Sequence, residues 1–373
     1  MLKNHNDTPP DNFKRTHRPA LDGMRGLAVL LVVFYHNFGF INYFFFGWLG
    51  VDLFFVLSGY LITDILLNER NKPRFLRNFY MRRVLRIFPL YYLTLFICLL
   101  ILPQISAPNI KLDYYVNNQA WLWSYLQNWL YIFKPDAGTN FMHHYWSLAV
   151  EEQFYLLWPP VILLLRRTKY LMLFITSVLL LVLVARCFVW IYNIEDLAYF
   201  NLYTFTRIDG ICVGCMVALI KRLDDNFLAT KRPYIVSAFA AFNFLFYFFN
   251  SYYHFSFPYL ALIGYTTIAM LFGLLVYEGV REENRLIYWL FNLKFLKFFG
   301  KISYGFYVFH WPVYALLHPT IFEAAKSFLP QVAFINTTQV LSSIVCTLAG
   351  IALSLISYYF FEIHFLRLKK YFN

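Results

Sequence analysis

Charge is what this sequence has least of. Only 14% of its 373 residues are charged, against 60% that are hydrophobic; an average soluble domain carries about 25% charged residues. So little charge cannot cover a water-soluble surface, and with a mean hydropathy of +0.52 it excludes an ordinary soluble domain in favour of a polytopic helical membrane protein. Cysteine is also scarce. The five cysteines, Cys98, Cys187, Cys212, Cys215 and Cys346, all lie in apolar stretches. That argues against a disulfide framework, and the Cys212–Cys215 pair lacks the second ligand pair of a zinc site, so no metal is expected. The opening residues MLKNHNDTPPDNFKRTHRP hold no short apolar core with a small-residue cleavage site, so no cleaved signal peptide is expected. Internal repeats and long linkers are absent too, and a single domain is the expectation.

What is present is a series of apolar runs, near 20–41, 45–66, 87–103, 145–165, 170–192, 203–220, 234–250, 257–278, 296–317 and 338–361. Each approaches the ~20 residues that cross a bilayer core as a helix. The fold class expected is therefore an all-α integral membrane protein with about ten transmembrane helices: a tail over 1–19, a membrane domain over 20–362 and a second tail over 363–373. The Trp- and Tyr-rich segment QAWLWSYLQNWLYIF, 119–133, reads as an interfacial or re-entrant helix. With that assignment 26 of the 32 Lys and Arg fall in the tails and the loops on one side, and only Lys111, Lys134 and Lys326 on the other. The positive-inside rule then makes both termini cytoplasmic. The net charge of +12 follows from this asymmetry and suits anionic membrane lipid, not nucleic acid.

Against this apolar background a few ionisable residues stand out. Arg25 and His36 bracket RGLAVLLVVFYH; eleven residues turn a helix through about 1100° and rise ~16.5 Å, so the two share a face. Arg25 could instead snorkel to headgroups beside Asp22, and His36 could make a simple interhelical hydrogen bond, but ionisable residues within spans usually line a cavity or pathway. Asp52, the pair Glu151 and Glu152, Arg207 with Asp209, and His310 before Trp311-Pro312 also lie in apolar runs. Asp52, Arg207, Asp209 and His310 are candidates for the wall of a substrate cavity; Arg207 and Asp209 could equally pair with neighbours, and His310 could bond a carbonyl freed by the Pro312 kink. Adjacent helical residues point about 100° apart, so at most one of Glu151 and Glu152 is expected to face the His36 cavity. The loop RNKPRFLRNFYMRRVLRIFP carries Arg70, Lys72, Arg74, Arg77, Arg82, Arg83 and Arg86. Lipid attraction explains part of that charge; Arg83 and Arg86, leading into a span, would also suit the phosphates of a cytoplasmic donor.

Taken together, RPALDGMRGLAVLLVVFYH, FFVLSGYLIT, RRVLRIFPLYY, WSLAVEEQFYLLWP, TRIDGICVGC, SYGFYVFHWP and SYYFFE resemble, in order over residues 18 to 362, the membrane acyltransferase-3 family. The resemblance implies a bacterial inner-membrane enzyme that moves an acetyl or other short acyl group from cytoplasmic acyl-CoA, with acetyl-CoA the expected donor. The acceptor would be a hydroxyl of an O-antigen, exopolysaccharide or other glycan. It places the family's R-x10-H motif on Arg25 and His36, its RxxR motif on Arg83 and Arg86, and its glutamate on Glu151 or Glu152, with Glu152 preferred. His36 would be general base or acyl acceptor. Glu152 would orient it, and Arg25 would either offset charge on the thioester oxygen or bind CoA. Many relatives carry a fused hydrolase-like domain after the last span; here the membrane domain is expected to act unaided or with a partner. A transporter built on the same buried charges, or transfer of succinyl or another acyl group, are the competing expectations.

Overall fold

The computed structural model describes residues 18–105, 112–134, 141–192, 204–252, 260–326 and 336–372. Residues 1–17 of the expected tail, Lys111, and the loop residues 193–203 and 327–335 lie outside them. Long helices stand where the apolar runs place them: α1 (Pro19–Phe38), α2 (Leu49–Glu69), α3 (Phe75–Phe96), α4 (Trp146–Leu164), α5 (Thr168–Ile191), α6 (Asp209–Leu223), α7 (Phe227–Tyr252), α8 (Tyr265–Arg281), α9 (Lys294–Lys326) and α10 (Thr337–Ser357). Among the described residues there is no strand. By length and hydropathy, five stretches among the described residues could cross a membrane: Asn42–Glu69, Phe75–Gln104, Thr168–Ile191, Leu262–Arg281 and Thr337–Phe372. The Trp- and Tyr-rich segment forms only the short helices Gln119–Trp123 and Gln127–Phe133.

Several boundaries depart from the expected runs; α3, for one, begins at Phe75 and not near 87. The run near 203–220 breaks into a short turn of helix, Thr204–Arg207, and then α6. The run near 296–317 sits inside a much longer helix, α9, which carries Pro312 and Pro319 within it. Pro removes an intrahelical bond, and in an apolar helix neighbouring groups take up the freed carbonyls.

Helix α1 is the centre of the assembly, packed on α9, α2, α8 and α10. Ala20, Met24, Ala28 and Val29 along it are fully buried. Its approach to α9 is set by glycine. A Cβ on Gly26 would fall on the Leu296 carbonyl, and one on Gly300 would fall on the Asp22 carbonyl. The α2–α6 crossing repeats the device, Gly59 lying against the Ile211 carbonyl and Gly214 against that of Val56. In lipid, where burying one apolar helix against another gains little, such small residues let backbones close and dispersion contacts accumulate.

Gly26→Val should therefore wedge α1 from α9. Overpacking of this kind costs about 1–3 kcal/mol, so the detergent-solubilised variant should melt several degrees below the parent in a fluorescence-detected size-exclusion series.

Candidate active site

The first half of α1, the length of α2, the middle of α3 and the first half of α4 help wall a cavity of about 1380 Å³. At its Pro19 end of α1 it is lined by Arg18, Asp22 and Arg25; α3 contributes Arg83 and Arg86, and α4 contributes Glu151, Glu152 and Tyr155. Arg25 lies within electrostatic reach of Arg86, Asp22, Tyr155 and Arg83. Arg83 stacks over the Tyr155 ring at 5.5 Å. Glu151 Oε1 accepts from Ser58 Oγ at 2.5 Å, and Ser58 accepts in turn from the Tyr155 hydroxyl at 3.0 Å. Other basic groups near the cavity already have partners: Arg82 pairs with Glu69, Lys221 with Asp225 and Arg222 with Asn68. Arg25, Arg83 and Arg86 are thus a convergent cationic set, suited to forked bonds with phosphate.

Ser147 and Tyr307 also line the cavity, and their hydroxyls are 2.6 Å apart. Beside them lies a cluster of three histidines. His36, in the last turn of α1, places Nδ1 2.8 Å from His310 Nε2 on α9, with the rings stacked at 5.1 Å. His310 Nδ1 lies 2.7 Å from the Tyr307 carbonyl and 3.2 Å from that of Phe306. Carbonyls only accept, so His310 Nδ1 carries a proton. In neutral His310, Nε2 is then a lone pair and accepts from His36 Nδ1–H. That leaves His36 Nε2 with its lone pair unspent: the form a general base or nucleophile requires. The tautomers follow from this network of partners. His144 completes the cluster, its ring 4.9 Å from His310 and 6.2 Å from His36.

Several sequence expectations change at this point. Arg25 and His36 do lie on one helix, about 16.5 Å apart along its axis, but Arg25 lines the cavity and His36 is not among its lining residues. Arg25 therefore sits with Arg83 and Arg86, too far along the helix to meet an oxygen at His36. The hydrogen bond that orients His36 goes to His310, where Glu152 was expected; Glu152 and Glu151 both line the arginine-bearing cavity. Asp52, Arg207 and Asp209 are corrected from cavity wall to buried framework. Asp52 Oδ1 is 2.8 Å from Arg207 Nη2, and Asp209 Oδ2 is 2.9 Å from Arg186 Nη2. Thr266 also donates to Asp209, at 2.6 Å. The Arg207 guanidinium lies 3.9 Å over the Tyr265 ring. Only His310 of that group joins the histidines.

Sequence reading missed His144, Ser147 and Tyr307. Tyr307 stands three residues before His310 on one helix, the spacing that shares a face. His144 belongs to the pair His143-His144 at the threshold of an apolar run, the same kind of signal that marked His36.

A family model described as "Acyltransferase domain", acyltransferase-3, matches residues 18–359. The peptidoglycan O-acetyltransferase OatA of Listeria monocytogenes is 31% identical over 326 residues, covering 83% of this chain and 51% of that protein. A Bacillus subtilis protein provisionally named a peptidoglycan O-acetyltransferase, YrhL, is 32% identical over 325 residues, 81% of this chain and 49% of that protein. The chain spans about half the length of the curated relatives it matches. No solved structure matches significantly.

If Asp52–Arg207 is framework, removing one partner should cost about 3–5 kcal/mol, and replacing both by apolar residues should recover much of it. Asp52→Leu or Arg207→Met alone should lose folded protein on size-exclusion chromatography, and the double variant should regain it.

Proposed function

The chain belongs to the acyltransferase-3 family, and from that premise we propose that it is a multi-pass membrane O-acetyltransferase taking acetyl from cytoplasmic acyl-CoA to a hydroxyl of a cell-envelope glycan. The reading includes the ten-span topology with both termini cytoplasmic in a bacterial inner membrane, the orientation that puts the arginine-rich cavity mouth where acyl-CoA is found. The named activity of OatA makes peptidoglycan the first acceptor to examine. The observation that carries the reading is the alignment of two features along α1: a cavity bearing Arg25, Arg83 and Arg86, and beyond it His36 with Nδ1 committed to His310.

Arg25, Arg83 and Arg86 hold the phosphates at the mouth, and the pantetheine arm runs past Ser58 and Tyr155 toward Ser147 and Tyr307. Glu151 and Glu152 face the same cavity and accept from donor amides while offsetting the arginine charge between turnovers. His36 Nε2 takes the proton of the acceptor hydroxyl as its oxygen attacks the thioester carbonyl carbon. The carbon–sulfur bond then breaks, and the imidazolium returns its proton to the departing thiolate. His310 does for His36 what the third member of a catalytic triad does: it holds the ring and its tautomer. Here the holder is neutral and is itself fixed by the Tyr307 carbonyl. Attack by His36 Nε2 on the thioester, giving an acyl-imidazole that the hydroxyl then opens, uses the same groups.

His36→Ala should abolish alkali-labile acetate on envelope glycans, measured by mass before and after mild alkali, while protein of normal size-exclusion profile remains in the membrane. Equal ester in variant and parent would remove His36 from the chemistry. Arg83→Ala and Arg86→Ala should each raise KM for acetyl-CoA by about 10- to 100-fold, the worth of a charge-assisted hydrogen bond, with a smaller change in kcat. Unchanged donor dependence would take the arginines out of that site.

A further inference from the structure

His144 is 3% exposed, and neither of its ring nitrogens has a hydrogen-bond partner among the described residues. A neutral imidazole presents one N–H and one lone pair, and a dry interior rarely leaves such groups unmet. The neighbours do not supply what is missing. The Val308 carbonyl approaches the ring outside hydrogen-bonding geometry, so the His144 N–H is not spent on it. The Tyr307 hydroxyl, the nearest proton donor, is spent on the His144 backbone carbonyl at 2.8 Å and on Ser147 at 2.6 Å. The remaining surroundings are the rings of Tyr145, His310, Tyr307 and His36, at 4.5, 4.9, 5.5 and 6.2 Å. The backbone at His144 is held by Tyr307, so the imidazole is firmly seated.

We propose that His144 is the acceptor-binding imidazole of this site, its N–H donating to the oxygen of the attacking hydroxyl, whose own proton faces His36 Nε2, and presenting that oxygen to the acyl carbon beside His36. This rests on the acyltransferase reading above. A hydroxyl is the matching chemistry because it is donor and acceptor at once, as a neutral imidazole is. The spacing of the His36 and His144 rings is one that a single oxygen bridges, with about 2.8 Å to a nitrogen on each. The acceptor, not the donor, is assigned because Ser147 and Tyr307 line the arginine-bearing cavity and His144 is not among its lining residues. His36 and His144 thereby divide the work. While His144 holds the hydroxyl, its proton passes to His36 Nε2, the oxygen bonds to the acyl carbon, and the bond from that carbon to sulfur breaks.

The test compares the full-length protein with His144→Ala, His144→Gln and His36→Ala. Three quantities are read: acetyl-CoA affinity by calorimetry, alkali-labile acetate on envelope glycans in cells, and acetyl transfer to hydroxylamine, a small nucleophile that needs no acceptor site. His144→Ala should bind acetyl-CoA within about twofold of the parent, lower glycan acetate by about 10- to 100-fold, and keep transfer to hydroxylamine. His144→Gln, which retains a donor and an acceptor, should recover part of the glycan ester. His36→Ala should bind acetyl-CoA and lose both transfers. If His144→Ala loses both transfers as His36→Ala does, loses acetyl-CoA binding, or keeps full glycan acetylation, the assignment to the acceptor is wrong. If the parent itself makes neither product, the acyltransferase reading fails first.

Discussion

The chemistry of this protein hangs on how closely α1 and α9 approach. His36 and His310 are 274 residues apart in the chain, and nothing local brings them together. Gly26 and Gly300 do, each lying against a backbone carbonyl of the opposite helix with no room for a side chain. In water two apolar helices are pressed together by the hydrophobic effect; in lipid that force is weak, and close packing of small residues takes its place. The glycines that make the crossing possible also set the separation at which one imidazole can hydrogen-bond another. Binding geometry and fold stability are therefore the same property at this point.

The ionisable residues divide into two populations with different physics. Asp52, Arg207, Asp209 and Arg186 are buried and paired across α2, α5, α6 and the short Thr204–Arg207 turn. Each charge there has an opposite charge beside it, which offsets part of its desolvation. Arg186 is the fullest case: it also donates to the Thr206 carbonyl at 2.9 Å and to Thr266 at 2.9 Å. Arg25, Arg83, Arg86, Glu151 and Glu152 instead line a cavity, where charge remains available to a ligand. An ionisable residue in an apolar run is a sign of one or the other, and only the partner tells which.

Holding His36 through a second imidazole, not a carboxylate, has a consequence in a dry site. A carboxylate beside the base would add a permanent charge whose desolvation must be offset. A neutral His310 brings none, and its tautomer is set by a backbone carbonyl that cannot change its role. The orientation of His36 is thus wired to the helix backbone of α9, just before the turn that Pro312 interrupts.

The apolar runs, their lengths and the placing of Lys and Arg determined the helical class by themselves, because apolar length and charge are local properties of the chain. The ordered motifs from RGLAVLLVVFYH to SYGFYVFHWP identified the family on the same terms, and spacing alone put Arg25 and His36 on one helix face. What tertiary structure decided is which polar group meets which. Sequence could not say that Asp52 and Asp209 were already committed to arginines, that Glu152 shares a cavity with Arg83 while His310 takes its expected place at His36, or that His144 stands beside Tyr307 with its nitrogens unmet. Those facts depend on helices far apart in the chain crossing at particular glycines. A hydrogen bond senses tenths of an ångström, a scale that packing sets and that no pattern along the chain records.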